Sequence, residues 1–285
     1  MFLITGITGH VGGAAAKALL ADGRQVRALV RDKGKAAKWA DQGVELVEGD
    51  WNDAAVLARA LEGVEGVYLM MPPMVTPSPG FLEAKRVLAA YVQALKQAPP
   101  PKVVALSSMG SEKETGLGLI TSTSLMERAL GDLPMPVAFV RAGGFFENYM
   151  YGLQTGMGGT LPSFYVPTNR KVPMIATVEI GSEVAKLLTS EWTGKRVIEL
   201  GTATSPDDIA AALGEVLGVP VKAQAMPREA WAAALEGMGL PKGSTGGYEE
   251  MLEAVNSGWI GFGVEGTERV AGKTSAKEVF AGAKA

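Results

Sequence analysis

The chain has 285 residues, 47% hydrophobic and 20% charged, which is enough apolar sequence for a large core and too much for a disordered chain. Its formal net charge of −3, with no cluster of Lys and Arg, supplies no basic field for nucleic acid. With no cysteine and a single histidine, it can build no disulfide, thiolate nucleophile, iron–sulfur cluster or multi-histidine metal site, so no metal is expected.

The elements follow in alternation. Residues 1–5 read as a short buried strand and residues 11–20 as a helix with apolar positions every three or four residues. Between them runs Thr5-Gly6-Ile7-Thr8-Gly9-His10-Val11-Gly12. In such a turn one glycine permits the tight reversal, a second lets backbone approach a pyrophosphate, and a third lets helix pack on sheet. The helix then offers unpaired N–H groups and its positive dipole end to phosphate.

Further strands are expected at 25–30, 44–47, 67–71, 102–106 and 137–140, with helices at 33–42, 53–61 and 82–97 and another ending near Leu130. Short apolar runs separated by amphipathic helices are the pattern of parallel strands covered on both faces, so a doubly wound α/β sheet is expected. Residues 145–174, rich in Gly, Met and aromatics, lose the periodicity. A helix at 179–190 and a strand at 196–200 restore it. Helices are then expected at 205–217, opened by a Ser205-x-x-Asp208 capping box, at 227–238 and at 247–256. The glycine-rich stretch 258–272 reads as loop and 275–281 as a last short helix. This suggests a dinucleotide-binding domain over 1–148, completed by about 175–201, and a smaller, mostly helical substrate or partner domain from 149–174 and 202–285.

The second strand ends in Arg31-Asp32, with Lys33 and Lys35 beyond, where an NAD-preferring site would place a carboxylate for the ribose hydroxyls. An arginine fork suits a 2′-phosphate, which favours NADP(H); the competing reading is a solvated patch in which Arg31 and Lys35 pair with Asp32. Asp50 and Trp51 follow the third strand, where the adenine side of the crevice is lined in such sheets.

These motifs, with Val30-Arg31-Asp32-Lys33-Gly34-Lys35, Gly49-Asp50-Trp51, Ser107-Ser108 and Arg141-Ala142-Gly143-Gly144-Phe145-Phe146-Glu147-Asn148, resemble those of the NmrA-like proteins, an atypical branch of the short-chain dehydrogenase/reductases. Ile175-Ala176-Thr177-Val178-Glu179-Ile180-Gly181 and Ala210-Ala211-Ala212-Leu213-Gly214-Glu215-Val216-Leu217-Gly218 extend the likeness over most of the chain. The resemblance implies an NADP-binding extended Rossmann fold. Gly6, Thr8, Gly9, His10, Val11, Gly12, Arg31 and Lys35 would lie on the phosphates, with Asp50 and Trp51 near adenine. It places Met71, Pro72, Ser107 and Ser108 beside ribose and nicotinamide, and Gly144, Phe145 and Phe146 beside the nicotinamide. The family includes reductases of quinones and triphenylmethane dyes as well as regulators that bind the dinucleotide without using it.

Catalytic short-chain dehydrogenases carry a Tyr-x-x-x-Lys dyad. Counting back from Glu127 puts Leu119 and Thr123 at those two places, so the dyad is absent. An electron-poor acceptor such as a quinone or an azo or cationic dye takes hydride without it, helped mainly by positioning. Met74, Phe146, Tyr149 and Trp259 are candidates for a pocket binding a small planar aromatic, although residues of these types at such spacings are more often plain core. Ser108, Thr123 and Tyr149 are the candidate catalytic hydroxyls, and His10 reads as structural. Two function classes follow: an NADPH-dependent reductase of a conjugated aromatic acceptor, or a non-catalytic NADP(H)-sensing regulator that binds a protein partner. The protein is expected to be a cytoplasmic monomer or homodimer; it starts directly in apolar sequence, and no apolar run reaches the ~18 residues that cross a bilayer.

Overall fold

The computed structural model describes residues 1–284. The large sheet is built from β1 (Phe2–Thr5), β2 (Val26–Val30), β3 (Glu45–Glu48), β4 (Gly66–Leu69), β5 (Val103–Ser108) and β6 (Val137–Ala142). Three short strands follow, β7 (Gly144–Phe145), β8 (Thr160–Ser163) and β9 (Val172–Ile175), and then β10 (Lys195–Leu200), β11 (Thr202–Thr204), β12 (Lys222–Ala225) and β13 (Glu268–Val270). The helices are α1 (His10–Ala21), α2 (Ala37–Ala40), α3 (Ala54–Leu61), α4 (Leu82–Gln97), α5 (Thr121–Gly131), α6 (Gly152–Thr155), α7 (Thr177–Thr189), α8 (Pro206–Leu217), α9 (Trp231–Gly237), α10 (Gly246–Ser257) and α11 (Ala276–Lys284).

Eight strands pair in the order β13-β10-β6-β5-β4-β1-β2-β3, every neighbouring pair parallel. The chain therefore winds outward from β1 in one direction and from β4 in the other. The loops after these two strands diverge and open a crevice at the sheet's carboxyl edge, where ligands bind in open α/β sheets. Burial on both faces explains the near-continuous apolar strands: β1, β4 and β6 are buried along their whole length. One core lies under α1 and α7 and a second under α3, α4 and α5. The third gathers Phe146, Tyr149, Met174, Ile209, Leu213 and Phe280 with Met109, Leu117 and Ile120, and so ties the later half of the chain to the segment after β5.

Several sequence expectations need correction. The helix expected at 33–42 shrinks to Ala37–Ala40, because the Asp32 carboxylate accepts the N–H groups of Gly34 and Lys35 at 2.8 and 3.2 Å and holds a turn where the helix would start. Across the segment 144–175 lie β7, β8 and β9, and beyond them β11 and β12. These form small separate sheets, β11-β9-β7 and β12-β8, with strands of two to four residues that lack an apolar alternation. The stretch 258–272 is not all loop, since β13 adds an eighth strand at the sheet edge. It is seated by the buried Glu199 of β10, which accepts the Gly263 and Val264 N–H groups at 2.7 and 3.1 Å, and by a two-pronged Arg196–Glu268 pair. The capping box at α8 forms as its sequence spells it: Ser205 N–H donates to the Asp208 carboxylate at 2.7 Å and Asp208 N–H to the Ser205 hydroxyl. Among the described residues no helix is long and apolar enough to cross a membrane.

Candidate active site

The glycine turn after β1 is closed by a bond from Gly9 N–H to Gly6 C=O at 2.9 Å. Gly6 adopts φ +65°, and a Cβ there would meet Met70 Sδ at 2.5 Å; a Cβ on Gly12 would run into the Gly6 and Thr5 carbonyls. Both positions therefore require glycine. Gly9 caps α1 with no side-chain bond, and the first turn contains no acidic residue, so its N–H groups face the crevice unclaimed by the protein's own anions. A bare, positive helix end beside a backbone that tolerates no Cβ fits a pyrophosphate.

A cavity of about 290 Å³ lies beside this turn, lined by Gly6, Thr8, Val30, Arg31, Lys35 and Trp51 among others. Asp32 is occupied with backbone N–H groups, and among the described residues neither Arg31 nor Lys35 has a carboxylate partner. The two exposed cations thus stand free at the corner where a 2′-phosphate would sit. Asp53, not Asp50, caps α3, accepting from Ala55 and Val56 N–H at 3.0 Å each. Asp50 accepts from the backbone and side chain of Asn52 at 2.8 and 2.7 Å and stays exposed. His10 is also exposed; it lines a separate cleft of about 800 Å³ over α1 with Lys17, Lys38 and Ser182. Val11 packs into the core, leaving its backbone to the turn.

A second cavity, of about 280 Å³, opens at the carboxyl ends of β4, β5 and β6. Its apolar wall is Met71, Pro72, Met74, Leu119 and Phe145, and its polar groups are Ser107, Ser108, Ser122, Thr123 and Tyr248. Most of these hydroxyls are committed. Ser107 donates to Glu127 at 2.5 Å, Ser122 to the Leu119 carbonyl at 3.0 Å and Thr123 to the Ile120 carbonyl at 2.8 Å, with Ser111 at 2.8 Å from Thr123. Gly144 lies just outside the lining in β7, backed by Met174 Sδ at 2.8 Å from where its Cβ would be.

Three residues expected at the pocket lie elsewhere. Phe146 and Tyr149 are 4% and 8% exposed within the third core, and neither is in the cavity wall. Burial, with Tyr165 and Tyr151 adding to it, holds the Tyr149 phenol well above its ordinary pKa, and its ring stacks on Tyr151 at 6.1 Å. Trp259 is half exposed; its indole N–H donates to the Thr115 carbonyl at 3.1 Å and Lys113 lies 4.6 Å above its ring. Phe146 and Tyr149 follow β6 as the sequence has them, but the sequence could not say which face of the irregular segment turns inward. It also passed over Tyr248, whose only signal is a phenol in the first turn of a helix after a run of Gly, Ser and Thr.

The NmrA-like family model matches residues 1–261. The chain belongs to the NmrA-like family. It is similar to an NAD(P)H azoreductase of Xenophilus azovorans, 25% identical over 277 residues that cover 96% of this chain and 93% of that one. It is also similar to quinone oxidoreductase 2 of Escherichia coli strain K12, 27% identical over 255 residues covering 85% and 84%. Among solved structures, an E. coli NADPH-dependent quinone oxidoreductase complexed with NADPH superposes over the full length of both chains with a TM-score of 0.81 at 24% identity. A Citrobacter triphenylmethane reductase superposes over 93% of this chain and 92% of its own with 0.78 at 22% identity.

In this NmrA-like protein the cavity floor is fixed by a buried polar network. Arg141 of β6 is 5% exposed and grips Glu127 of α5 with two bonds, at 2.9 Å from Nε and 2.6 Å from Nη2. Ser107 of β5 donates to the same carboxylate, while Arg141 Nη1 and Glu112 Oε2 lie 3.1 Å apart, in ion-pair range without hydrogen-bond geometry. Glu127 thus ties α5 to two strand ends, and those ends carry Ser108, Ala142 and Gly143 into the cavity wall. Glu147 performs a similar role, accepting from Thr177 N–H at 2.8 Å and from its hydroxyl at 2.5 Å at the start of α7.

Proposed function

We propose that the protein uses NADPH to reduce a planar, conjugated acceptor of the quinone, azo or cationic-dye class, bound in the cavity at the ends of β4, β5 and β6. The chain is an NAD(P)H-dependent oxidoreductase, and NADPH is its cofactor, in keeping with its azoreductase and quinone oxidoreductase relatives. NADPH, when bound, supplies the hydride. The glycine turn and the α1 N-terminus hold its pyrophosphate, Arg31 and Lys35 its 2′-phosphate, and Asp50 and Trp51 its adenine. Met71, Pro72, Ser107, Ser108 and Phe145 border the ribose and nicotinamide, with Gly144 just outside that lining.

The observation that carries the acceptor class is the cavity itself. It adjoins the crevice, it is walled by flat and soft apolar side chains, and it is lined by Leu119 and Thr123, the residues that counting back from Glu127 puts at the tyrosine and lysine places. Such a wall orients an aromatic plane and excludes water, and positioning of that kind supplies most of the catalysis that an electron-poor acceptor needs. The test is NADPH consumption, followed by its absorbance, with a panel of quinones, azo dyes and triarylmethane dyes. Turnover with part of that panel is expected. Tight NADPH binding with no turnover of any acceptor would contradict the reading and favour a regulator that senses NADP(H) and binds a protein partner.

A further inference from the structure

Quinones and azo compounds need a proton as well as a hydride, and the Ser108 hydroxyl in the cavity wall is an aliphatic alcohol, a far weaker acid than a phenol. Leu119 and Thr123 bring neither a phenol nor an amine, and Thr123 already donates to the Ile120 carbonyl. One phenol does line the cavity. Of the six tyrosines, Tyr68, Tyr91, Tyr149, Tyr151 and Tyr165 are set in the cores, where burial raises the pKa of each. Tyr248 is half-buried in the cavity wall that Phe145 and Met74 also line, and its hydroxyl has no partner among the described residues.

The backbone fixes this placement. Gly118 has φ +51°, and a Cβ there would strike the Gly247 carbonyl, with Met251 N at 2.7 Å. A Cβ on Gly247 would meet Leu119 Cδ2 at 2.9 Å. The first turn of α10 therefore sits directly on the segment where the dyad tyrosine would stand, and Tyr248 is the next residue along. From its outer side α10 is held by Arg228, which bonds Glu249 and Glu253 at 2.6 Å each, and by Thr245, which donates to Glu249 at 2.5 Å.

We propose that Tyr248 is the proton donor of the reductase site: its O–H bonds the oxygen or nitrogen of the acceptor and gives up its proton as negative charge develops there. This rests on the reductase reading above. In the balanced reaction a quinone takes a hydride and its electron pair from NADPH, leaving NADP⁺ and a ring oxyanion. Tyr248 O–H protonates that oxygen to give the hydroquinone, and the tyrosinate recovers its proton from water. A cationic triarylmethane dye differs in kind. Hydride adds at its central carbon and cancels the positive charge, so no proton is required.

Two measurements on Tyr248→Phe test this, since the half-buried ring stays and only the hydroxyl is lost. Turnover of a quinone is expected to fall about a hundredfold, the low end for a positioned proton donor, while turnover of a cationic triarylmethane dye stays within about twofold. The second readout needs no turnover. The carbonyl stretch of a quinone bound to the cofactor-free protein is expected to shift downward from its value in water-free solvent in the parent, and to lose that shift in the variant. Equal losses with both acceptors, or no loss with the quinone together with an unchanged carbonyl stretch, would overturn the assignment. A parent protein that turns over neither acceptor yet shows the carbonyl shift, lost in Tyr248→Phe, would refute the reductase reading while leaving the hydrogen bond intact. No shift in the parent would refute Tyr248 as donor whatever the turnover.

Discussion

Replacing Glu127 with Ala removes three charge-assisted bonds at once: 2.5 Å from Ser107 and 2.9 and 2.6 Å from Arg141. What remains is worse than the loss of three bonds. The Arg141 guanidinium, at 5% exposure, keeps only Glu112 at 3.1 Å, with no hydrogen bond between them. Breaking a buried pair by deleting one partner costs about 3–5 kcal/mol, mostly through the uncompensated charge left behind. For a chain of this size each kcal/mol moves the melting midpoint by roughly 2–4 °C, so Glu127→Ala is expected to melt about 6–20 °C below the parent. Deleting both charges as Glu127→Met with Arg141→Met is expected to recover part of the loss, since the stranded guanidinium is gone and only the part-exposed Glu112 carboxylate loses its partner. Thermal melts of the parent, Glu127→Ala, the Glu127→Met and Arg141→Met singles and their double variant, without NADPH, measure this. A single variant that melts within about 1 °C of the parent, or a double variant that loses the sum of the two singles, would refute the idea that this network is one coupled unit.

Arg31→Ala is expected to weaken NADPH about tenfold and leave NADH within about twofold, because under the proposed function the exposed guanidinium would bond only the 2′-phosphate; titration calorimetry with both dinucleotides reads the difference. Tyr149→Phe should leave kcat and KM unchanged for any acceptor, since this ring is 8% exposed in the third core and outside the cavity wall; a loss of turnover would return it to the site. The Glu268 carboxyl is held below its ordinary value of 4.5, first by the hydrogen bond from Arg196. A depressed carboxylate stabilises the fold above its ordinary value and loses that contribution as pH falls below it, so Glu268→Gln should flatten the acid limb of the stability curve below about pH 4.5. The effect is small because the pair is largely solvated, and unfolding curves at several acid pH values would detect it.

The fold was legible wherever burial writes itself into residue type. Apart from the edge strand β3, the strands from Phe2 to Ala142 are mostly apolar because parallel strands are covered on both faces, and the glycine turn is legible because no side chain fits beside the Gly6 carbonyl. The small strands β8 and β12 were invisible for the opposite reason. Thr160–Ser163 and Lys222–Ala225 pair only because tertiary packing brings them together, and neither carries an apolar alternation. The site divides in the same way. Arg31, Lys35 and Trp51 follow strand ends, whose position the periodicity sets, and they line one cavity. Tyr248 reaches the other from the far half of the chain, through a contact between Gly118 and Gly247 that no local pattern announces. Phe146, Tyr149 and Trp259 were ambiguous because an aromatic looks alike in core and pocket until its neighbours are known.

The central claim, that a hydride passes from bound NADPH into an acceptor held against β4, β5 and β6, is tested most directly by a single turnover. Protein loaded with one equivalent of NADPH, deuterated at either face of C4, is mixed with a quinone and followed by the loss of NADPH absorbance. The account predicts rapid oxidation, slowed by deuterium on one face only, with that deuterium absent from the NADP⁺ formed. Bound NADPH that is oxidised no faster than in free solution, or with no preference between the two faces, would contradict it.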